Sequence, residues 1–345
     1  MTIQRNSNIE LLRIICMLMV MLLHFNNLGA NYGLLGMNKQ LNFQYINGYL
    51  IESLCIVAVN CFVLISGFFG INLKLRSLLK LYLQCFFIGL VSYLLYVYIS
   101  TDSFNGEIFS NLIFAFSHNR WWFVVSYLGL MLISPLLNSA VASMSKKQLL
   151  FSLLGFSISL IYFGWFHNLE PISNGYSLIF LIFLYLVGRY INLHTSLDGI
   201  RRYRWLWGIG YLLGSLLLLG LVFLHYRGYN IFSPYHYDHP IVIVNAVLLF
   251  LFFLSFKFQS RIINWIASSV FAAYLLQESI YFGDNLLYPN VREFFSQITS
   301  CRELWLLVIS IGFLLVSVFL DKIIGLCTQP IMHLYDKIVP KSNRT

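Results

Sequence analysis

The sequence has 345 residues, of which 59% are hydrophobic and 10% are charged, and its formal net charge is +9. Soluble domains carry about 25% charged residues, so this composition excludes an ordinary soluble enzyme. The positive charge is spread over short segments between apolar runs. That distribution is typical of membrane topology and contact with anionic lipid, and it does not favour a nucleic-acid partner.

Long apolar runs recur along the chain, and each can cross the hydrocarbon core of a bilayer, about 30 Å, as a helix. Only helices and closed barrels satisfy their backbone hydrogen bonds in lipid, and these runs lack the alternation of barrel strands. We therefore predict an all-α membrane protein, a bundle of about ten transmembrane helices. The predicted spans are 9–28, 48–71, 78–100, 121–142, 149–166, 176–193, 206–225, 240–256, 263–282 and 304–326.

Basic residues are divided unevenly between the two sets of loops. With a cytoplasmic N-terminus, most of the 22 lysines and arginines fall on the cytoplasmic side. The outer loops then hold only Lys39, Arg120, Arg227, Arg292 and Arg302. By the positive-inside rule, the N-terminus and the C-terminus are both predicted to be cytoplasmic. The segments between spans are too short for another fold, so we expect a single membrane domain over 1–345 and no separate soluble domain.

The first span carries an arginine and a histidine. Arg13 and His24 stand eleven positions apart, close to three helical turns, so both project from one stripe about 16 Å apart along the axis. A charged side chain within a span costs about 2.5–3.5 kcal/mol on insertion scales. Arg13 is open to two interpretations, a functional role or snorkelling to the headgroups beside Glu10. His24 could be an interhelical hydrogen-bonding residue, but sharing a face with an arginine favours function.

The second span contains Glu52, Asn60 and Ser66, the last followed by a glycine. Such residues suit either interhelical hydrogen bonding with a close helix contact or the lining of a polar cavity, and the sequence leaves both open. Glu52 is the carboxylate of this span. It is a candidate to orient His24 or to balance Arg13.

The ninth span contains Gln277 and Glu278. A carboxylate at this depth requires a cation, and Arg13 and protonated His24 are the candidates. The sequence alone does not pair these groups. Gln277 and Glu278 are therefore predicted to support the site of Arg13 and His24, and their individual partners are not assigned.

Three aromatic residues, Trp121, Trp122 and Tyr127, lie where an outer aromatic belt is expected. They could anchor the bundle in the interface or contribute to a substrate-binding surface. A metal site is not predicted, because the six cysteines show no CxxC spacing and the His236, Asp238 and His239 group lacks a third spaced ligand.

Stretches from several spans agree in order and spacing with a known family. They are Arg13 with His24, residues 57–69 ending in Ser-Gly-Phe-Phe, the basic residues Lys74, Arg76 and Lys80, residues 120–138 with Trp-Trp-Phe and Ser-Pro, and residues 269–277 ending in Tyr-Leu-Leu-Gln. With these stretches the sequence resembles acyltransferase family 3 of integral membrane proteins. One departure is Gln277, where the family often has a histidine.

The resemblance implies a membrane-bound O-acyltransferase in the cell membrane of a bacterium. Its co-substrate would be acyl-CoA, usually acetyl-CoA, and no cofactor would be permanently bound. The implied partners are membrane lipid and an envelope glycan acceptor such as capsule, exopolysaccharide or O-antigen. Because the chain ends soon after the predicted tenth span, it resembles the stand-alone polysaccharide O-acetyltransferases.

Acyl transfer from a thioester to an alcohol requires a base for the hydroxyl and positive charge or donors for the oxyanion. His24 suits the role of base or of transient acyl carrier. Arg13 is predicted to hold the CoA phosphates or the thioester carbonyl, with Arg76 adding positive charge. Two other classes remain open from the residues alone, a transporter or flippase for lipid-linked sugar and a polysaccharide polymerase.

Overall fold

The structure is a computed structural model of the whole chain, and it describes residues 6–30, 46–100, 106, 112–114, 121–166, 173–227, 229, 234–298 and 300–339. These residues form helices and the segments that connect them, and no strand occurs among them. The all-α prediction is therefore confirmed for the described part of the chain. The predicted outer residues Lys39 and Arg120 lie outside it.

Fourteen α-helices are numbered here in chain order over the described residues. They are α1 (Ser7–His24), α2 (Ile46–Cys55), α3 (Ala58–Phe69), α4 (Leu75–Ser100), α5 (Trp122–Ser143), α6 (Lys146–Ile161), α7 (Leu178–His194), α8 (Leu197–Arg202), α9 (Arg204–Tyr226), α10 (Pro240–Leu254), α11 (Arg261–Ala267), α12 (Phe271–Gln277), α13 (Tyr288–Gln297) and α14 (Arg302–Ile338). π-Helical segments follow α1, α6 and α12, over Phe25–Gly29, Tyr162–Phe166 and Ile280–Leu287.

Within the described residues, seven segments are long and apolar enough to cross a membrane. They are Ser7–Gly29, Ile46–Phe69, Leu75–Ser100, Trp122–Ser143, Lys146–Gly164, Arg204–His225 and Arg302–Ile338. Helices α7 and α10 are also apolar, but they have 17 and 15 residues, about 26 and 23 Å of helix. The described residues thus agree with the predicted multi-pass architecture, but they contain seven such segments and not the ten predicted spans.

The predicted ninth span differs most from the structure. Residues 263–282 are not one helix, because the chain is divided into α11, α12 and the π-helical segment Ile280–Leu287. Ser260 caps the start of α11, and Ser279 accepts a hydrogen bond from the backbone of Gly283. A Cβ at Gly283 would overlap the Gln277 carbonyl, so the turn after α12 requires a glycine there.

Helix α1 lies at the centre of the described bundle. It packs against α2, α3, α10, α11, α12 and α14. Its stripe of buried residues includes Leu12, Cys16, Met17 and Val20. Side chains on α1 are therefore enclosed on several sides, which suits a site that must exclude water.

Helices α3 and α7 pack closely against each other through two glycines. Gly67 faces the backbone of Tyr185, and Gly188 faces the backbone carbonyl of Leu64. A side chain at either glycine would collide with the opposite backbone, so small residues permit this approach. The contact fixes the position of α3, one wall of the site described below.

Helix α14 has 37 residues and is about 55 Å long. Only about 30 Å is needed to cross the hydrocarbon core, so its C-terminal turns extend beyond the apolar part of the bundle. There Asp336 forms an ion pair with Arg76 at the start of α4, at 3.1 Å between Nε and Oδ1. This contact connects the two helices at the end of the bundle where α1 begins.

Candidate active site

His24 is the last residue of α1, immediately before the π-helical segment Phe25–Gly29. Its Nδ1 lies 3.0 Å from Oε1 of Glu278 and 3.1 Å from Oε1 of Gln277. Glu278 follows α12 directly, at the break that divides the predicted ninth span. The structure therefore pairs His24 with Glu278, one of the two pairings that the sequence left open.

Glu278 is itself held in place. The hydroxyl of Tyr288, a buried residue at the start of α13, donates a hydrogen bond of 3.0 Å to its Oε1. Two π-helical segments follow the pair, one after His24 and one after Glu278. π-Helical turns interrupt regular helices at functional sites more often than elsewhere, and here they turn two helix ends toward each other.

The contacts of Nδ1 determine which nitrogen of His24 is available. An ionised carboxylate can only accept a hydrogen bond, so Nδ1 carries the proton that Glu278 accepts. In the neutral ring Nε2 then has the lone pair. Within the described residues, Nε2 has no hydrogen-bond partner. The arrangement is that of a base whose proton-accepting nitrogen points away from its orienting carboxylate.

Glu52 occupies a separate position on α2. Both of its carboxylate oxygens accept hydrogen bonds from the side-chain amide of Asn27, at 3.0 and 3.3 Å, and one accepts from Asn26 at 3.5 Å. Asn26 and Asn27 lie in the π-helical turn after His24. Glu52 therefore fixes the turn that carries the histidine, instead of contacting His24 or Arg13 directly.

Asn26, Asn27 and Tyr288 were not predicted from the sequence as site residues. A signal for the first two was present, because two asparagines follow His24 within three positions in an apolar span. Buried amides in a span require partners, and a carboxylate on the next helix is a suitable one. Tyr288 had no such signal, since it comes into contact only through the break after α12.

A small chamber lies beside His24. Its volume is about 40 Å³, and its walls come from α1, α3, α5, α12 and the loop before α10. The lining residues other than His24 are Met17, Val20, Val59, Phe62, Trp122, Phe123, Tyr237, Phe271 and Tyr274. We call this the His24 chamber; apart from His24, its lining is apolar or aromatic.

A larger cavity of about 440 Å³ contains Arg13 and is called the Arg13 cavity. Glu10, Ser66, Tyr127 and Ser268 are among its lining residues. The Nε of Arg13 lies 4.0 Å from Oε1 of Glu10, beyond hydrogen-bond length, and the side chain is 38% exposed. The Ser66 and Tyr127 hydroxyls are 3.0 Å apart. Arg13 thus faces a space of mixed lining, with several polar side chains, that is large enough for part of a substrate.

Three phenylalanines separate the two spaces. Phe62, Phe123 and Phe271 line both the His24 chamber and the Arg13 cavity, and we call them the phenylalanine constriction. They come from α3, α5 and α12, so three helices converge at this level. The stripe predicted on α1 accordingly has Arg13 on one side of the constriction and His24 on the other.

Two further cavities continue from the Arg13 cavity toward the end of the bundle where α1 begins. The nearer, of about 260 Å³, shares Ser268 and Phe271 with it and contains Lys322. The farther, of about 660 Å³, shares Lys80 with the nearer one and is lined by Arg76 and the C-terminal turns of α14. The four spaces thus adjoin one another in this order, from the basic cavity at the end of the bundle to the His24 chamber.

The remaining predicted residues have structural positions. Asn60 is fully buried and donates a hydrogen bond of 2.9 Å to the Tyr237 carbonyl, holding the loop that walls the His24 chamber. Trp121 is also fully buried, and its indole nitrogen donates to the Leu275 carbonyl at 3.1 Å. Its ring is enclosed by protein, so in the structure Trp121 is neither part of an interfacial belt nor an exposed binding surface.

Trp122 and Tyr127 also differ from the predicted belt. Trp122 lines the His24 chamber, in an aromatic group with Tyr176 and Tyr237 whose ring centroids are 4.6 and 5.9 Å from its own. Tyr127 lines the Arg13 cavity and stacks on Phe123 at 5.6 Å. Both residues belong to the walls of the internal spaces.

The fold and these spaces define an α-helical membrane protein with a half-buried histidine–carboxylate pair beside a set of adjoining cavities. A family model described as an acyltransferase domain matches residues 6–324. The chain therefore belongs to acyltransferase family 3, and it is a membrane acyltransferase. Neither the curated proteins nor the solved structures include a match.

Family membership confirms the resemblance found in the sequence. It also separates the protein from the two other classes left open by the residues, since transport and polymerisation are not acyl transfer. The match covers α1 through most of α14. The two helices that carry His24 and Glu278 both lie inside it.

Proposed function

We propose that this protein transfers an acetyl group from acetyl-CoA to a sugar hydroxyl of a bacterial surface polysaccharide, with His24 as the general base. The observation that carries the proposal is the arrangement of His24. Glu278 and Gln277 hold Nδ1, and Nε2 is left available beside a chamber that adjoins the cavity of Arg13.

The donor is proposed to enter from the basic end of the path. The positive-inside rule places that end in the cytoplasm, where acyl-CoA is available. Arg76 and Lys80 line the outermost cavity, and Arg13 lies deeper. A guanidinium binds phosphate oxygens in a bidentate manner, so Arg13 suits the anionic groups of CoA. Arg76 already binds both carboxylate oxygens of Asp336, so it marks the basic opening but does not offer a free fork. The thioester end would then be directed toward the phenylalanine constriction.

The chemistry follows from the free Nε2. It removes the proton of the acceptor hydroxyl, and the oxygen attacks the thioester carbonyl carbon, giving a tetrahedral oxyanion. The intermediate collapses as the carbon–sulfur bond breaks, and the CoA thiolate leaves and takes the proton from the imidazolium. The products are the sugar ester and CoA. Glu278 stabilises the imidazolium and fixes its orientation throughout.

The proposal can be tested with membranes from cells that express the protein. They are incubated with acetyl-CoA radiolabelled in the acetyl group and with the host's surface polysaccharide. His24→Asn keeps a side-chain donor toward Glu278 but has no basic nitrogen, so transfer of label to polysaccharide should fall by at least about a hundredfold. His225→Ala, an exposed histidine at the end of α9, is the control and should retain wild-type transfer.

Two results would contradict the proposal. One is transfer by His24→Asn at the wild-type rate, with equal amounts of protein in the membrane. The other is a wild-type protein that releases no labelled polysaccharide while its intact fold is shown by gel filtration in detergent. Label found on the protein at His24 in the absence of acceptor would instead assign His24 as an acyl carrier.

A further inference from the structure

The His24 chamber is too small for a long acyl chain. Its volume is about 40 Å³. About 10–15 Å³ of such space holds one water molecule, so the chamber has room for a group of about three non-hydrogen atoms, the size of an acetyl group. The adjoining Arg13 cavity is about ten times larger, at about 440 Å³. The Arg13 cavity has room for a longer chain, so the size of the acyl group is restricted at the chamber and the adjoining phenylalanine constriction.

Two valines, from two different helices, belong to the chamber wall. Val20 lies on α1, one turn before His24, and Val59 lies on α3. Both are almost fully buried, with 6% and 8% of their surface exposed. Their branched side chains have little rotational freedom, so each presents a rigid surface to the chamber.

The wall that carries Val59 has little room to move. Helix α3 is held against α7 by backbone contacts at Gly67 and Gly188. The adjacent Asn60 is fixed by its hydrogen bond to the Tyr237 carbonyl. A longer acyl chain would have to displace a packed helix, and packed interiors tolerate added methylene groups poorly.

We infer that Val20 and Val59 limit the transferred group to two carbons. This inference rests on the proposed function, because it assumes that the acyl group of the donor lies in the chamber when the acceptor oxygen attacks its carbonyl carbon. Replacing either valine with alanine removes two methyl groups from the wall. The space gained corresponds to the two methylene groups by which a butyryl group exceeds an acetyl group.

The test compares acetyl-CoA, propionyl-CoA and butyryl-CoA as donors for the purified protein with the host's polysaccharide. Release of CoA is followed with a thiol reagent, and the ester formed is identified by mass spectrometry. The readout is the ratio of butyryl to acetyl transfer, which does not depend on how much protein is folded. For the wild type we expect acetyl transfer to be faster by about tenfold to a hundredfold.

Val59→Ala and Val20→Ala should each raise the ratio of butyryl to acetyl transfer by about tenfold. Val63→Ala is the matched control. Val63 lies one turn from Val59 on the same helix and is fully buried, but it lines neither the chamber nor the Arg13 cavity. Its substitution should leave the ratio unchanged. Val59→Leu fills the chamber and should slow acetyl transfer itself.

The outcomes separate the inference from the proposed function. Equal wild-type rates with acetyl-CoA and butyryl-CoA would overturn the inference and leave acyl transfer established. The inference would also be overturned if neither alanine variant changed the ratio of butyryl to acetyl transfer. It would be overturned as well if Val63→Ala raised that ratio as much as Val59→Ala does. If the folded wild type transfers no acyl group from any of the three donors, the proposed function fails as well.

Discussion

The carboxylate of Glu278 should contribute to the rate through His24. Its Oε1 lies 3.0 Å from Nδ1, and the two side chains are 12% and 24% exposed. Glu278→Gln keeps the shape and a carbonyl oxygen that can accept the proton of Nδ1, but it removes the negative charge. The imidazolium that forms when Nε2 takes a proton then loses its counter-charge.

The size of the effect can be bounded. Two unit charges at 3.0 Å interact by about 5–6 kcal/mol at an effective dielectric constant of about 20, and this is an upper limit. A hydrogen bond to a charged group contributes about 1.5–3 kcal/mol net. Each 1.4 kcal/mol changes a rate about tenfold, so kcat should fall by about tenfold to a hundredfold.

The assay is transfer of labelled acetyl groups by membranes, normalised to the amount of protein. Glu303→Gln is the control. Glu303 is an exposed carboxylate at the start of α14, and this substitution removes one negative charge, as Glu278→Gln does. The control should retain the wild-type kcat. A Glu278→Gln variant with wild-type kcat would show that the carboxylate does not support His24, and the account of the base would be wrong.

Three further predictions concern Arg13 and the helix contacts. Arg13→Lys keeps the charge but loses the bidentate fork, so the KM for acetyl-CoA should rise about tenfold or more; an unchanged KM would leave Arg13 without contact to the donor. Asn60→Ala leaves the Tyr237 carbonyl buried without its donor and should lower the free energy of unfolding by about 1–3 kcal/mol, measured by denaturant titration in detergent; unchanged stability would contradict this. Gly67→Ala should reduce the folded fraction in gel filtration, because the methyl group meets the backbone of α7, whereas Gly220→Ala faces open space and should not; equal behaviour would contradict the packing argument.

The helical spans were predictable because each depends on local composition. The predicted first span, 9–28, corresponds to Ser7–Gly29 in the structure, and the predicted fourth, 121–142, to Trp122–Ser143. Long apolar runs in lipid leave few alternatives to a helix. The break within the predicted ninth span was missed, because the apolar pattern continues through it while Ser279 and Gly283 end the helix.

The candidate site was predictable in its residue types and not in its pairings. A charged side chain within a span is costly and is usually functional, so the sequence could identify His24, Arg13, Glu52 and Glu278 as candidates. Their partners depend on how helices far apart in sequence approach one another. The pairing of Glu278 with His24 follows from the turn after α12, and helical periodicity contains no information about that turn.

The internal spaces were the least predictable feature. Trp121 was expected at the interface because aromatic residues near a span end are usually found there. Its enclosure and its hydrogen bond to the Leu275 carbonyl result from packing between α5 and α12. The phenylalanine constriction likewise combines three helices. Single phenylalanines in an apolar sequence give no sign that they share one cavity wall.

The most direct test of the central claim is the O-acetyl content of the host's surface polysaccharide, measured by proton NMR. It is compared in cells with the gene intact, deleted, and restored as wild type or as His24→Ala. The account predicts that acetyl signals are lost on deletion, return with the wild type, and do not return with His24→Ala present in the membrane at equal amount. Acetylation that is unchanged by deletion, or fully restored by His24→Ala, would contradict it.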